Sequence, residues 1–171
     1  MKRHVVLIGL PGAGKSSAGR LAARALGCPF CDLDDRVVAE TGTTIAELFA
    51  REGEAAFRDA ERAAFDRALA EPPQVIATGG GWAAQPGNLD GARDRAVTVH
   101  LACAPETAAR RLAGTRDRPL LAGDMAVQLD RLALTRAAFY EGAEATVATD
   151  DRPPREVAAA VVALARSAGG W

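Results

Sequence analysis

The chain has 171 residues, which suits one domain or one domain with a small inserted lobe. It is 49% hydrophobic but only 5% aromatic, with a formal net charge of −1 and a sequence pI near 6.1. That balance excludes a basic field for non-specific nucleic-acid binding, and no stretch approaches the roughly 18 to 20 apolar residues of a membrane span.

In chain order, "VVLIG" (5–9) is a short apolar run ending in glycine, as expected of a strand buried on both faces. It is too short, and too quickly followed by glycines, to be a signal peptide. After a glycine-rich turn, Ala18, Leu21, Ala22 and Ala25 fall on one helical face, and Gly27 is placed to end that helix. "PFCDL" (29–33) predicts a second, short strand. Residues 44–51 and 54–69 read as helices separated by Gly53. "QVIAT" (74–78) is another strand and runs straight into Gly79, Gly80 and Gly81. "AVTVHLA" (96–102) is a strand by its β-branched content, and Pro105 suits the first turn of a helix. The arginine-rich stretch 114–124, with Pro119 and Gly123, predicts a mobile loop. A helix resumes near Met125 and runs to about Glu141, "ATVAT" (145–149) is a last strand, and Val157, Val161 and Leu164 mark a closing helix. Strands alternating with helices predict an α/β fold, three layers deep, around a parallel sheet in a single domain.

"GLPGAGKS" (9–16) matches G-x-x-x-x-G-K-[ST] and sits between a buried strand and an amphipathic helix. Glycines there let backbone N–H groups converge on phosphate oxygens, and the helix start adds its positive dipole end. Lys15 is placed to reach the β- and γ-phosphates, and the Ser16 hydroxyl to ligate Mg²⁺. Such a site needs a carboxylate for the metal's shell. The "QVIAT" strand ends without one, so the nearest strand-end acids are Asp32 and Asp34. On a strand these two would point to the same side, one toward the metal's water shell and one toward a substrate hydroxyl. The alternative is helix capping, for which Asp35 is the better candidate.

Cys28-Pro-Phe-Cys31 has the form of a thiol redox pair or half a zinc site. It lies between a helix end and a strand, and no second C-x-x-C accompanies it, so packing is the expected role. Three cysteines cannot all pair, and a chain of this size needs no stapling, so a reducing cytoplasm is expected. His4, His100 and Cys103 have no spaced partners and read as packed residues.

The set "GLPGAGKSSAGRLAARALG", "DLDD", "TGTTIAELFAREGEAAFRDAE", "TGGG", "RDRPLL" and "TRAAFYEGA" resembles the shikimate kinases, in order and over nearly the whole chain. The resemblance implies a P-loop kinase fold with a central five-stranded parallel sheet, a helical substrate lobe at about 33–62 and a mobile lid at about 113–124. It implies transfer of the γ-phosphoryl group of ATP to the 3-hydroxyl of shikimate with Mg²⁺. Separately, the neutral, alanine-rich surface helices make a monomer the expected state, and no nucleic-acid or membrane partner is expected. Asp34 resembles the residue that binds shikimate hydroxyls and takes the proton, and Asp32 the one that holds magnesium through water. Arg58 and Arg136 match the arginines that grip the substrate carboxylate. Gly79, Gly80 and Gly81 resemble the backbone strip along the substrate, and Phe49 and Phe57 match the positions that line the family's substrate lobe. Gly12, Ala13, Gly14, Lys15, Ser16 and Ser17 correspond to the phosphate cradle. Arg118 looks like the lid arginine, Arg111 like the adenine-stacking arginine, and "TDDRPP" (149–154), with Arg152, like the adenine loop. A kinase of another hydroxy acid such as gluconate, or a non-catalytic effector-binding module, is the rival reading.

The residues support several of these roles by themselves. Leu129, Leu132 and Phe139 form an inward stripe on the 125–141 helix, and Arg136 falls in line with it. A charge on an apolar face is costly unless paired, either with an acid or with a ligand carboxylate. Arg58 and Glu61, three apart, are placed to pair. Three glycines after a strand suit close backbone approach. Three positions depart from the family pattern: Ala138 stands where proline is usual, Trp82 where a small residue is common, and Ser17 where threonine is commoner.

Overall fold

The computed structural model describes residues 1–113 and 124–171. Five strands, β1 (His4–Ile8), β2 (Phe30–Asp32), β3 (Val75–Ala77), β4 (Ala96–Ala102) and β5 (Ala145–Ala148), form one parallel sheet in the order β2-β3-β1-β4-β5. The helices are α1 (Lys15–Leu26), α2 (Leu33–Thr41), α3 (Ile45–Ala70), α4 (Asn88–Ala92), α5 (Pro105–Leu112), α6 (Met125–Tyr140) and α7 (Pro154–Ala168). A short 3₁₀ turn, Trp82–Ala84, follows the glycines.

β1 is central, which explains its unbroken apolar run. Val5 and Leu7 pack toward α1 and α7, while Val6 and Ile8 pack toward α2 and α3. The strand order reverses at β1, so the crevice beyond its C-terminal end is where an open α/β sheet binds ligands. Both the glycine-rich turn after β1 and the three glycines after β3 open into that crevice.

The buried face of α1 is rotated from the expected one. Ala18, Gly19, Ala22 and Ala23 are buried, whereas Leu21 is 42% exposed and Ala25 is exposed. Gly19 sets this face: a Cβ there would lie 2.6 Å from the Phe30 ring, so the helix approaches β2 more closely than a side chain would permit. In α3 the expected break is present. Gly53 has φ 85° and ψ 176°, a conformation that needs glycine, and Thr44 with Glu47 closes a capping box at the first turn. Ion pairs of Arg36 with Glu40 (2.9 Å) and Glu71 (2.8 Å), and of Arg67 with Glu40, tie α2 to the far end of α3.

The C-x-x-C cysteines lie on opposite sides of the sheet. Cys28 packs with the α1/α7 core and Cys31 with the α2/α3 core, and all three cysteines are free. Burial pushes both thiols up, away from the reactive thiolate. Trp82 is fully buried beneath the site, its ring centroid 4.4 Å from that of Phe65. Among the described residues no helix is long and apolar enough to cross a membrane.

Candidate active site

The turn after β1 closes on itself through glycine. Gly12 has φ 82°, and a Cβ there would fall 2.7 Å from the Ala108 carbonyl oxygen. Gly14, also left-handed, caps α1, so Lys15 and Ser16 begin the helix with their N–H groups facing the crevice. The Lys15 ammonium donates to the carbonyls of Gly9 and Leu10, both at 2.8 Å, which holds it over the turn. Ser16 Oγ donates to Asp32 Oδ2 at 2.5 Å.

Asp32 has two tasks. It ends β2, and its Oδ1 accepts from the Asp34 backbone N–H at 3.1 Å, making it the N-cap of α2. The cap expected at Asp35 is therefore at Asp32, and Asp34 lies in the first helical turn rather than on the strand. Strand alternation does not relate the two acids; the cap does. Asp35 instead faces Arg20 across 3.7 Å on the surface.

Two cavities flank this point. The first, about 400 Å³, is lined by the 12–18 turn, Asp32, Thr78, Arg111, Thr149 and Arg152. Arg111 is fixed there by donating to the Thr149 carbonyl (2.7 Å) and hydroxyl (3.1 Å), and Arg152 donates to the Ala148 carbonyl at 3.1 Å. Both Asp150 carboxylate oxygens accept from the Ala104 N–H at 3.1 Å; the Thr107 hydroxyl and that N–H hold this acid below its usual range. Thus the 149–154 loop is pinned to the start of α5.

The second cavity, about 430 Å³, lies under α2 and α3 and is lined by Phe49, Phe57, Arg58, Glu61, Leu132 and Arg136 among others. Asp34, Gly79 and Gly80 line both cavities. Arg58 donates to Glu61 Oε2 at 2.7 Å and lies 3.3 Å from Glu54. Glu61 is 1% exposed, and burial pushes its carboxyl up against the opposing pull of Arg58. Arg136 is 8% exposed, and its Nη1 has no hydrogen-bond partner among the described residues. A buried guanidinium with an unsatisfied N–H is a built receptor for an anion.

The glycine strip has no left-handed residue, so close approach rather than flexibility explains it. A Cβ on Gly79 would meet Glu61 Oε1 at 2.5 Å, and one on Gly80 would meet the Pro11 ring at 2.7 Å. On Gly81 it would fall on Arg58 Nη2, with Arg136 Nη2 at 3.0 Å. The strip lies against the chain's own charged groups.

The structure brings together Gly12, Ala13, Gly14, Lys15, Ser16, Ser17, Asp32, Asp34, Arg58, Gly79, Gly80, Gly81, Arg111, Arg136 and Arg152 around the two cavities. Arg118 and the lid lie outside the described residues. The inward stripe of α6 differs from expectation: Phe139 is 44% exposed, and Tyr140, four residues after Arg136, is buried in its place. Sequence reasoning had Thr149 only as part of the 149–154 loop and Pro11 only as part of the 9–16 turn, and missed that Thr149 anchors Arg111 and that Pro11 packs on Gly80. Among the described residues no group of three or more His, Cys, Asp or Glu side chains would hold a metal alone.

Residues 11–166 match the family model described as shikimate kinase. The chain is 42% identical over 167 residues to a shikimate kinase of Caulobacter vibrioides, spanning 97% of this chain and 84% of that one. Its structure superposes with a TM-score of 0.93 on a shikimate kinase from Acinetobacter baumannii in complex with shikimate, at 32% identity over 98% of this chain and 94% of that one. A gluconokinase from Sinorhizobium meliloti shares the fold, at a TM-score of 0.61 and 20% identity over 99% of this chain and 94% of that one.

Proposed function

The chain belongs to the shikimate kinase family, and on that footing we propose how its residues divide the transfer of the γ-phosphoryl group of ATP to the 3-hydroxyl of shikimate. The observation that carries the division is the meeting of two cavities along Asp34, Gly79 and Gly80. One is built for phosphates, with a glycine turn, a helix N-terminus and Lys15. The other is built for a small carboxylate, with Arg58 and Arg136 at one end and Asp34 at the seam.

Shikimate lies in the second cavity with its carboxylate on the two arginines and its hydroxyls at Asp34. Asp34 orients the acceptor hydroxyl and takes its proton as the phosphoryl group arrives. Lys15 and the N–H groups at the start of α1 balance charge on the transferring phosphate. Arg111 and Arg152 border the nucleotide's base, and Arg118 acts as the lid arginine. The substrate lobe comprises about 33–62 and the lid about 113–124 of a single domain, 1–171.

Ser16 Oγ and Asp32 Oδ2, 2.5 Å apart, form a hard-oxygen pair beside the phosphate turn. One hydroxyl and one carboxylate suit Mg²⁺, which keeps several waters and takes its remaining oxygens from phosphates. Bound there, the ion would neutralise charge on the β- and γ-oxygens. The chain's near-neutral charge and alanine-rich surface helices lead us to take a monomer as the working unit, and the three free cysteines favour a reducing cytoplasm.

The test is ADP release from Mg-ATP with shikimate, with gluconate and with no acceptor. Release that depends on shikimate is expected; equal release with gluconate, or none with either, would refute the assignment.

A further inference from the structure

Tyr140 is the only tyrosine in the chain and is 4% exposed. Its hydroxyl donates to the Gly80 carbonyl at 2.8 Å, and its ring stacks on His100 of β4, with centroids 4.6 Å apart and planes 21° from parallel. It stands four residues after Arg136 and so shares that residue's face of α6. Burial pushes the phenol up, while the Arg136 guanidinium beside it pulls the other way. Tyr140 therefore touches the sheet, the glycine strip and the arginine from a single position.

Gly80 lines both cavities, and Gly81 packs against Nη2 of Arg58 and of Arg136. The peptide between them is planar, so pinning its carbonyl also pins the Gly81 N–H on its opposite edge. Three consecutive glycines lack the Cβ atoms that would restrict such a peptide, so its orientation must come from outside the strip. Among the described residues the Trp82 N–H closes the turn over that peptide by donating to the Gly79 carbonyl at 3.1 Å, and the Tyr140 hydroxyl holds the Gly80 carbonyl directly. The His100 stack, on a central strand, fixes the ring from behind.

We propose that Tyr140 is a positioning residue for phosphoryl transfer: its hydroxyl holds both the Gly80–Gly81 peptide and the Arg136 guanidinium toward the acceptor. The proposal rests on the assignment of the second cavity to shikimate. It separates Tyr140 from ordinary core residues, whose loss would lower stability without favouring one substrate over the other.

Tyr140→Phe keeps the ring, the stack and the burial and removes only the hydroxyl. The expected result is a shikimate KM raised about fivefold to tenfold, the effect of one lost hydrogen bond. The KM for Mg-ATP should stay within twofold of the unaltered enzyme. A double-mutant cycle with Arg136→Lys should show non-additive effects on shikimate KM, because both changes act on one contact. An unchanged shikimate KM, or both KM values rising in parallel with a fall in Tm, would overturn the proposal, and additive effects would remove its Arg136 half. Failure of the unaltered enzyme to turn over shikimate would overturn both this proposal and the assignment beneath it; normal turnover with an indifferent Tyr140→Phe would overturn this one alone.

Discussion

Asp34 and Asp32 are neighbours with separable parts. Asp34→Asn keeps the shape of the side chain and loses the base, so turnover should fall roughly 10²- to 10⁴-fold with ATP affinity retained. Steady-state kinetics with nucleotide titration checks this, and near-normal turnover would remove Asp34 from the proton-accepting role. Asp32 caps α2 through one oxygen and meets Ser16 through the other. Asparagine caps nearly as well as aspartate, so Asp32→Asn should leave Tm close to that of the unaltered enzyme while raising the Mg²⁺ concentration needed for half-maximal rate. Asp32→Ala should add a stability loss of about 1 kcal/mol, read in a denaturant melt. The sequence showed both acids but misplaced the cap, because β2 ends one residue before the expected strand 29–33 does and the helix begins at Leu33. Aspartate suits a cap, but Asp32, Asp34 and Asp35 all offer one, so residue type alone does not choose the boundary.

At the scale of elements, the glycine strip separates stability from binding. The neighbours of Gly80 are the ring and backbone of Pro11, which cannot swing aside, whereas those of Gly81 are guanidinium tips, which can. Gly80→Ala should therefore cost stability, about 1–3 kcal/mol as for overpacking, seen as a lowered Tm. Gly81→Ala should fold normally but raise shikimate KM roughly tenfold or more, because both arginines are displaced from their working geometry. Equal behaviour of the two variants would contradict this reading of the contacts. The strip was legible as a place of close approach, but not what approaches it, since Arg58 and Arg136 arrive from helices distant in sequence. The same limit explains Phe139 and Tyr140. Periodicity alone placed an aromatic residue inward on α6, and one residue of rotation, set by packing against the 3₁₀ turn and His100, decided which.

For the whole molecule, the order of strands and helices could be read from alternating apolar runs and glycine stops, because each run is buried by its position in a parallel sheet. The strand order could not be read that way, since it depends on which crossovers pack on which face. Burial also fixes how stability responds to pH. It holds both His4 and His100 below the ordinary imidazole value of 6.5, with Lys15 adding to the effect at His100. Between their lowered values and 6.5 the unfolded chain binds more protons than the folded one. Their contribution is complete above 6.5 and is lost as pH falls through that window. Glu61, raised by burial, acts oppositely: its contribution is complete below 4.5 and is lost as pH rises through its higher folded value. His100→Phe keeps a ring against Tyr140 and removes one titration, so Tm should fall less steeply between pH 7 and pH 5. Melts at three pH values measure that slope, and an unchanged slope would remove His100 from the account.

The shared wall of Asp34, Gly79 and Gly80 is a seam without a partition between the two cavities. A single molecule bearing a ring carboxylate at one end and a polyphosphate at the other would cross it without meeting a side chain larger than aspartate on that wall. Each half would raise the effective concentration of the other, so the joined compound would bind more tightly than either half without any new contact. The geometry that brings donor and acceptor together also makes the site open to a tethered inhibitor.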